Sequence, residues 1–213
     1  MKLTKSLFVS AVLFLSATGA QAAGFVQNGN YLTVQLKQHQ NYGPSQIRLQ
    51  VVSDRIIRVQ ATAEQSFRSK QSLIIVPQNS KAQYKVEEQG DDLIITTAAM
   101  RAVLNEATGQ ITFYDLKDQV LLKEVAQGGK TFKPFTVPDR EIGVDIAKVP
   151  EAQKHGWSWR ALFDSPDNEA FYGLGQHQSE ELNMKGKNED LFQYNTKVSV
   201  PFVISNKNYG ILW

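Results

Sequence analysis

Ile47-Arg-Leu-Gln-Val51 alternates apolar and polar residues, Ser53-Asp54 interrupts the run, and Ile57-Arg-Val-Gln60 resumes it. A period of two puts every second side chain on one face of a strand, so a sheet with one buried face is predicted. Tyr31-Leu-Thr-Val-Gln-Leu36 repeats the pattern upstream. Leu73–Val76 and Leu93–Thr96 are short β-branched runs, the second preceded by the turn signal Gly90-Asp-Asp92. Met100–Leu104 and Gln110–Tyr114 flank Asn105-Glu-Ala-Thr-Gly109, a hairpin signature with glycine at the turn. Val120–Leu122 follows the charged turn Leu116-Lys-Asp118. Ile142–Ile146, Trp157–Phe163, Val198–Ile204 and Tyr209–Trp213 are further strand candidates. No long amphipathic helix, internal repeat or low-complexity linker stands out beyond the N-terminal segment. Short strands separated by turns every roughly 8–12 residues predict an all-β antiparallel sandwich or barrel. The stretch 127–150, richer in Gly, Pro and Lys, reads as a long loop or an insertion.

The composition narrows the function. The 213 residues are 42% hydrophobic, enough to bury a core in one generous domain or two small ones. Twenty-three basic against 21 acidic residues is too even for a nucleic-acid binder that relies on phosphate attraction. The absence of Cys excludes disulfides, thiolate nucleophiles, Cys-type zinc sites and iron–sulfur clusters. Three histidines, His39, His155 and His177, are too few for a His-rich metal site.

Residues 1–22 read as a secretory signal: Lys2 and Lys5, the apolar run Leu7–Leu15, and the cleavage site Ala20-Gln-Ala22 follow in the right order. The apolar run is shorter than the roughly 20 residues a membrane span needs. Cleavage after Ala22 removes two Lys and no acid, so the mature domain, 23–213, carries no formal net charge. A periplasmic or secreted protein without a membrane span is expected. The sequence stops at Trp213 inside the apolar run Tyr209-Gly-Ile-Leu-Trp213, which would leave a strand edge exposed. That ending predicts the front part of a longer protein.

Paired carboxylates are the usual tools of glycoside hydrolysis. Glu87-Glu88, Asp91-Asp92 and Glu180-Glu181 are adjacent in sequence and so point to opposite faces of a strand. They read as solvated turn residues. Gly173-Leu-Gly175 lacks a third glycine and a following helix, so it is no phosphate loop. The stretch 171–213 combines a strand, a glycine-flanked turn, the polar loop Gln176–Asp190 and two more strands, with Tyr172, Phe192 and Tyr194 around the loop. Aromatic faces beside amides suit sugar rings, which stack through C–H groups and hydrogen-bond through hydroxyls; aromatics at strand ends also serve a core.

Phe171-Tyr-Gly-Leu-Gly-Gln-His177 resembles the Y-G-L-G-[EQ]-x segment in the N-terminal β-sandwich of glycoside hydrolase family 31. The spacing to Leu191-Phe-Gln-Tyr-Asn195, Val200-Pro-Phe-Val-Ile204 and Asn208–Trp213 is also similar, as are Leu49–Val59 and Phe163–Glu169 upstream. The wording Gly175-Gln-His-Gln178 and Phe192-Gln-Tyr-Asn-Thr196 most resembles secreted bacterial α-xylosidases acting on xyloglucan fragments.

The resemblance implies an antiparallel β-sandwich of galactose-mutarotase type. It also implies a retaining α-glycosidase whose two catalytic Asp residues sit on a (β/α)8 barrel that follows the sandwich. The nucleophile motifs G-x-W-x-D-M-N-E and K-x-D-x-G-E do not occur, so no catalytic residue is assigned in this chain. The expectation is a non-catalytic front domain, inactive alone, whose partners are the catalytic barrel and an oligosaccharide substrate. No cofactor, metal or nucleic acid is implied. By position, Tyr194, Asn195 and Thr196 would wall the sugar pocket, with His177 as a further candidate contact. Many relatives have Asp near Asn195; an amide can share hydrogen bonds with hydroxyls but cannot transfer protons. Trp157 and Trp159 share a strand face, for core packing or docking on the barrel, or as a stacking platform. Gly173 and Gly175 are assigned to backbone geometry: positive φ and close approach. Rival readings are a stand-alone carbohydrate-binding module, a mutarotase-like epimerase and a structural interaction domain.

Overall fold

The computed structural model of the chain describes residues 24–37, 41–69, 72, 74–76, 82–137, 145–178 and 181–213. Residues 1–22, read as a secretory signal, and His39 lie outside them. The first sheet is a meander of β1 (Phe25–Asn28), β2 (Tyr31–Gln35), β3 (Gln46–Ser53) and β4 (Ile56–Thr62). The second runs β5 (Tyr84–Gln89), β6 (Asp92–Thr97), β7 (Arg101–Asn105), β8 (Ile111–Tyr114) and β9 (Val120–Lys123), again with sequential neighbours. All pairs are antiparallel.

The alternation sets the register. Leu32 faces Leu49 and Val34 faces Ile47 across β2 and β3, while Leu49 faces Val59 across β3 and β4. In the second sheet Leu93 pairs with Leu104, and Leu104 with Ile111. Apart from Val59, which is partly buried and packs against them, these side chains with Leu36, Val51 and Ile95 form one buried cluster between the two sheets. A one-residue slip would turn every one of them to solvent. On the outer face Arg48 lies over the rings of Phe67 and Tyr31, 4.1 and 5.5 Å from the centroids.

Beyond the sandwich, β10 (Lys130–Thr136) and β11 (His155–Ala161) make a two-stranded ribbon. β10 lies within the stretch read as a loop or insertion. Its seven residues pair in register with β11, and Pro134 is tolerated because β10 pairs on one side only. Between the two strands, Ile146–Lys148 form a 3-10 turn and Glu151–Lys154 a single helical turn, α1. The expected strand over 142–146 is therefore not extended at Ile146; 142–144 lie outside the described residues.

The run Leu73–Val76 is not a strand at 74–76, and Ile74 and Val76 are exposed. An unbroken β-branched run has no in/out alternation to fix a register, and Pro77 removes a donor next to it. A third sheet, β12 (Phe171–Gln176), β13 (Val198–Ser205) and β14 (Tyr209–Leu212), closes the described chain. No helix among the described residues is long and apolar enough to cross a membrane.

Candidate functional site

The Tyr-Gly-Leu-Gly stretch lies where β12 meets an irregularity in β13. Gly173 pairs with Val203, but Gly175 pairs with Ser199, so Val200, Pro201 and Phe202 oppose Leu174 alone. Gly173, Leu174 and Gly175 take φ of 124°, 69° and 103° in succession. A Cβ on Gly173 would stand 2.6 Å from the Phe202 carbonyl oxygen, and one on Gly175 would run into the Val198 carbonyl. Both glycines are thus required by backbone conformation and by the closeness of β13. Pro201 suits the bulge: it has no N–H to lose, and its carbonyl accepts from the Trp213 N–H at 3.1 Å.

The bulge turns the Leu174 carbonyl toward His177, whose Nε2 is 2.7 Å away. Nδ1 of the same ring is 3.0 Å from Glu189 Oε1. Glu189 also pairs with Lys197, and Lys197 Nζ donates to the Asp190 carbonyl at 2.6 Å. The Lys197 ammonium holds the Glu189 carboxyl below its ordinary range; burial opposes this and the His177 ring adds to it.

The turn Tyr194–Lys197 stands directly on this group. The Lys197 N–H donates to the Tyr194 carbonyl at 3.0 Å. Gln193 takes the place of a missing ladder rung: its Nε2 donates to the Lys197 carbonyl at 2.7 Å, and its Oε1 accepts from the Ser199 N–H at 3.0 Å. Tyr194, Asn195 and Thr196 are exposed at the tip. Phe192 and Tyr194 lie with ring centroids 6.2 Å apart at 32°. Tyr172 is elsewhere, opposite Ile204 on β13.

Of the four residues predicted for the site, three are adjacent on the exposed turn. The fourth, His177, is beneath it with its side chain only 7% exposed. Glu189 and Lys197 were not singled out from the sequence, because a polar Asn-Glu-Asp run reads as solvated. Trp157 and Trp159 do share a face of β11, yet both are about half exposed rather than packed in the core.

The buried carboxylates do not face one another. Glu106 pairs with Lys37 at 3.0 Å, and Glu124 pairs with the buried Lys130. Glu169 accepts from the hydroxyls of Ser205 at 2.5 Å and Tyr209 at 2.7 Å, with Lys207 at 3.8 Å. Burial, and then the Glu169 carboxylate, push the Tyr209 phenol above its ordinary range, so it stays a donor. No group of three or more His, Asp or Glu side chains able to hold a metal ion occurs among the described residues.

Comparison with known proteins gives a consistent result. The family model for the glycosyl hydrolase 31 N-terminal galactose mutarotase-like domain matches residues 46–213. The crystal structure of a GH31 alpha-xylosidase from Xanthomonas citri is 35% identical, with a TM-score of 0.74 over 88% of this chain and 18% of that one. A GH31 alpha-xylosidase from a soil metagenome, complexed with xylose, is 28% identical, with a TM-score of 0.65 over 89% of this chain and 27% of that one. An alpha-xylosidase of Saccharolobus solfataricus is 24% identical over 181 residues, 80% of this chain. The chain spans only 22–32% of the length of the curated relatives it matches.

Proposed function

Because the chain belongs to glycoside hydrolase family 31, we propose that it is the non-catalytic N-terminal β-sandwich of an α-xylosidase-like retaining enzyme. In this reading, cleavage after Ala22 leaves 23–213 as the domain, exported to the periplasm or beyond. The substrate of the whole enzyme is an oligosaccharide with terminal α-linked xylose or glucose, of the xyloglucan-fragment kind.

One observation carries the scaffold role. Val198, Val200, Phe202 and Ile204 alternate along β13 and all stand on its exposed side, beside Tyr172 of β12 and Leu212 of β14. A strand pattern of this kind normally faces a core. Here the row is an unfilled interface, and the barrel of a longer family 31 enzyme is the partner that would cover it. The Tyr194–Thr196 turn stands at the far end of the same sheet and supplies the pocket wall.

Asn195 and Thr196 offer an amide and a hydroxyl, groups that exchange hydrogen bonds with sugar hydroxyls and transfer no proton at neutral pH. In a protein joining this chain to an α-xylosidase barrel, Asn195→Ala is expected to raise KM with little change in kcat, the sign of a contact made equally in ground and transition states. Kinetics indistinguishable from the parent would contradict the wall assignment. The exposed Phe192–Tyr194 pair favours one other reading, a self-sufficient carbohydrate-binding module. That reading requires heat of binding with xylogluco-oligosaccharides in calorimetry on the chain alone.

A further inference from the structure

We propose that His177, Glu189 and Lys197 form a buried clasp that fixes the Tyr194–Asn195–Thr196 turn, making His177 a positioning residue and not a sugar ligand. The three side chains are 7%, 15% and 14% exposed, although they lie in a polar stretch of the sequence. They connect two backbone features at the end of the β12–β13 ladder, beyond its last pair, Gln176 with Val198. At one end is the left-handed Leu174, whose carbonyl faces His177 Nε2 at 2.7 Å. At the other is the turn itself, closed by Lys197 N–H on the Tyr194 carbonyl. Glu189 is the middle link, with one oxygen toward both His177 and Lys197.

The ring is covered: Nε2 faces the Leu174 carbonyl, and Nδ1, which makes no hydrogen bond, lies 3.0 Å from Glu189 Oε1, so neither nitrogen is open to a sugar from solvent. Asn195 and Thr196 are the reverse case, exposed and without a side-chain hydrogen bond among the described residues. The clasp is ionic at its centre. Removing Lys197 leaves a largely covered carboxylate beside a ring with no ammonium, whereas Arg preserves the charge and can reach the same oxygens. The functional weight of the clasp rests on the reading of the turn as pocket wall; its existence does not.

The test is hydrogen–deuterium exchange by mass spectrometry on the full chain. In Lys197→Met and in His177→Ala, peptides spanning 190–199 should exchange at least tenfold faster than in the parent. Lys197→Arg should restore most of the protection, and peptides from β3, β4, β6 and β7 should be unchanged in all three. Parent-like exchange over 190–199 in Lys197→Met would overturn the clasp. So would an Arg variant as unprotected as the Met variant, since plain packing does not select for charge. If Lys197→Met loses protection in β3 and β4, and so fails to fold, Glu189→Gln replaces it, with the same tenfold criterion over 190–199. Asn195→Ala separates the two ideas: it should leave exchange at parent level, and its effect on KM in the barrel-joined enzyme tests the wall alone.

Discussion

Gly175 is the residue on which the site depends most. Its φ of 103° and the Val198 carbonyl beside it exclude a side chain for two separate reasons. Gly175→Ala should destabilise the fold by about 1–3 kcal/mol, toward the upper end because backbone must move. Gly29, with φ of 60° but open space around it, is the control, and Gly29→Ala should cost only the left-handed backbone term, about 1–2 kcal/mol. Equal losses in urea denaturation would show that space plays no part. A second residue-scale test concerns Glu124 and Lys130, whose side chains are each 5% exposed. Burial pushes the Glu124 carboxyl up and the Lys130 ammonium down, while each is stabilised in its charged form by the other. Lys130→Met should cost about 3–5 kcal/mol, and adding Glu124→Leu should recover part of that loss. A double variant as unstable as the sum of the singles would contradict the pairing. The glycines were legible in the sequence, since only backbone geometry explains two of them around one leucine. The buried acids were not. Glu169 meets its partners 36 and 40 residues later, and no local pattern announces such a meeting.

At the scale of elements, most strands were readable, either from alternation or as short apolar runs bounded by turns; β1, β5 and β10 were not. β2 and β3 alternate in the sequence, β6 and β7 were read as apolar runs bounded by turns, and the hairpin at Asn105–Gly109 has Gly109 at φ of 73°. β10 escaped because its composition is that of a loop and its partner, β11, begins about 20 residues after it ends. Leu73–Val76 has the composition of a strand, but 74–76 do not form one. The loop of 177–197 behaves as an element through its clasp, and Glu189 gives it a pH signature. Lys197 and His177 are the charged or titratable groups facing that carboxyl, and its pKa is lowered from the ordinary 4.5. A lowered value means the stabilisation is complete above 4.5 and is lost as pH falls through the lowered value. Exchange over 190–199, corrected for intrinsic rates, should therefore quicken on acidification below 4.5 in the parent and stay flat in Glu189→Gln. The same acid response in both proteins would contradict the assignment.

The described chain is a two-sheet sandwich followed by a ribbon and a third sheet. Hydrogen bonds join that sheet and its loops to the segment just before it, at Pro166, Asn168, Glu169 and Ala170. Its row of Val198, Val200, Phe202 and Ile204 is the largest-scale consequence of the sequence pattern: strand alternation was visible, but what the apolar side would face was not. Exposed as it is, the row should make the chain self-associate. Phe202→Glu with Ile204→Lys should shift sedimentation toward the monomer while leaving the denaturation midpoint nearly unchanged, because both side chains are already exposed. A large drop in stability would place the row inside the fold instead. The scaffold reading is tested most directly by incubating the chain alone with an α-xyloside or xylogluco-oligosaccharide and measuring released xylose. No release above the buffer blank is predicted. Sustained turnover that disappears in a Glu169→Gln or Glu124→Gln variant, with the fold intact, would mean that the bond-breaking groups are in this chain after all.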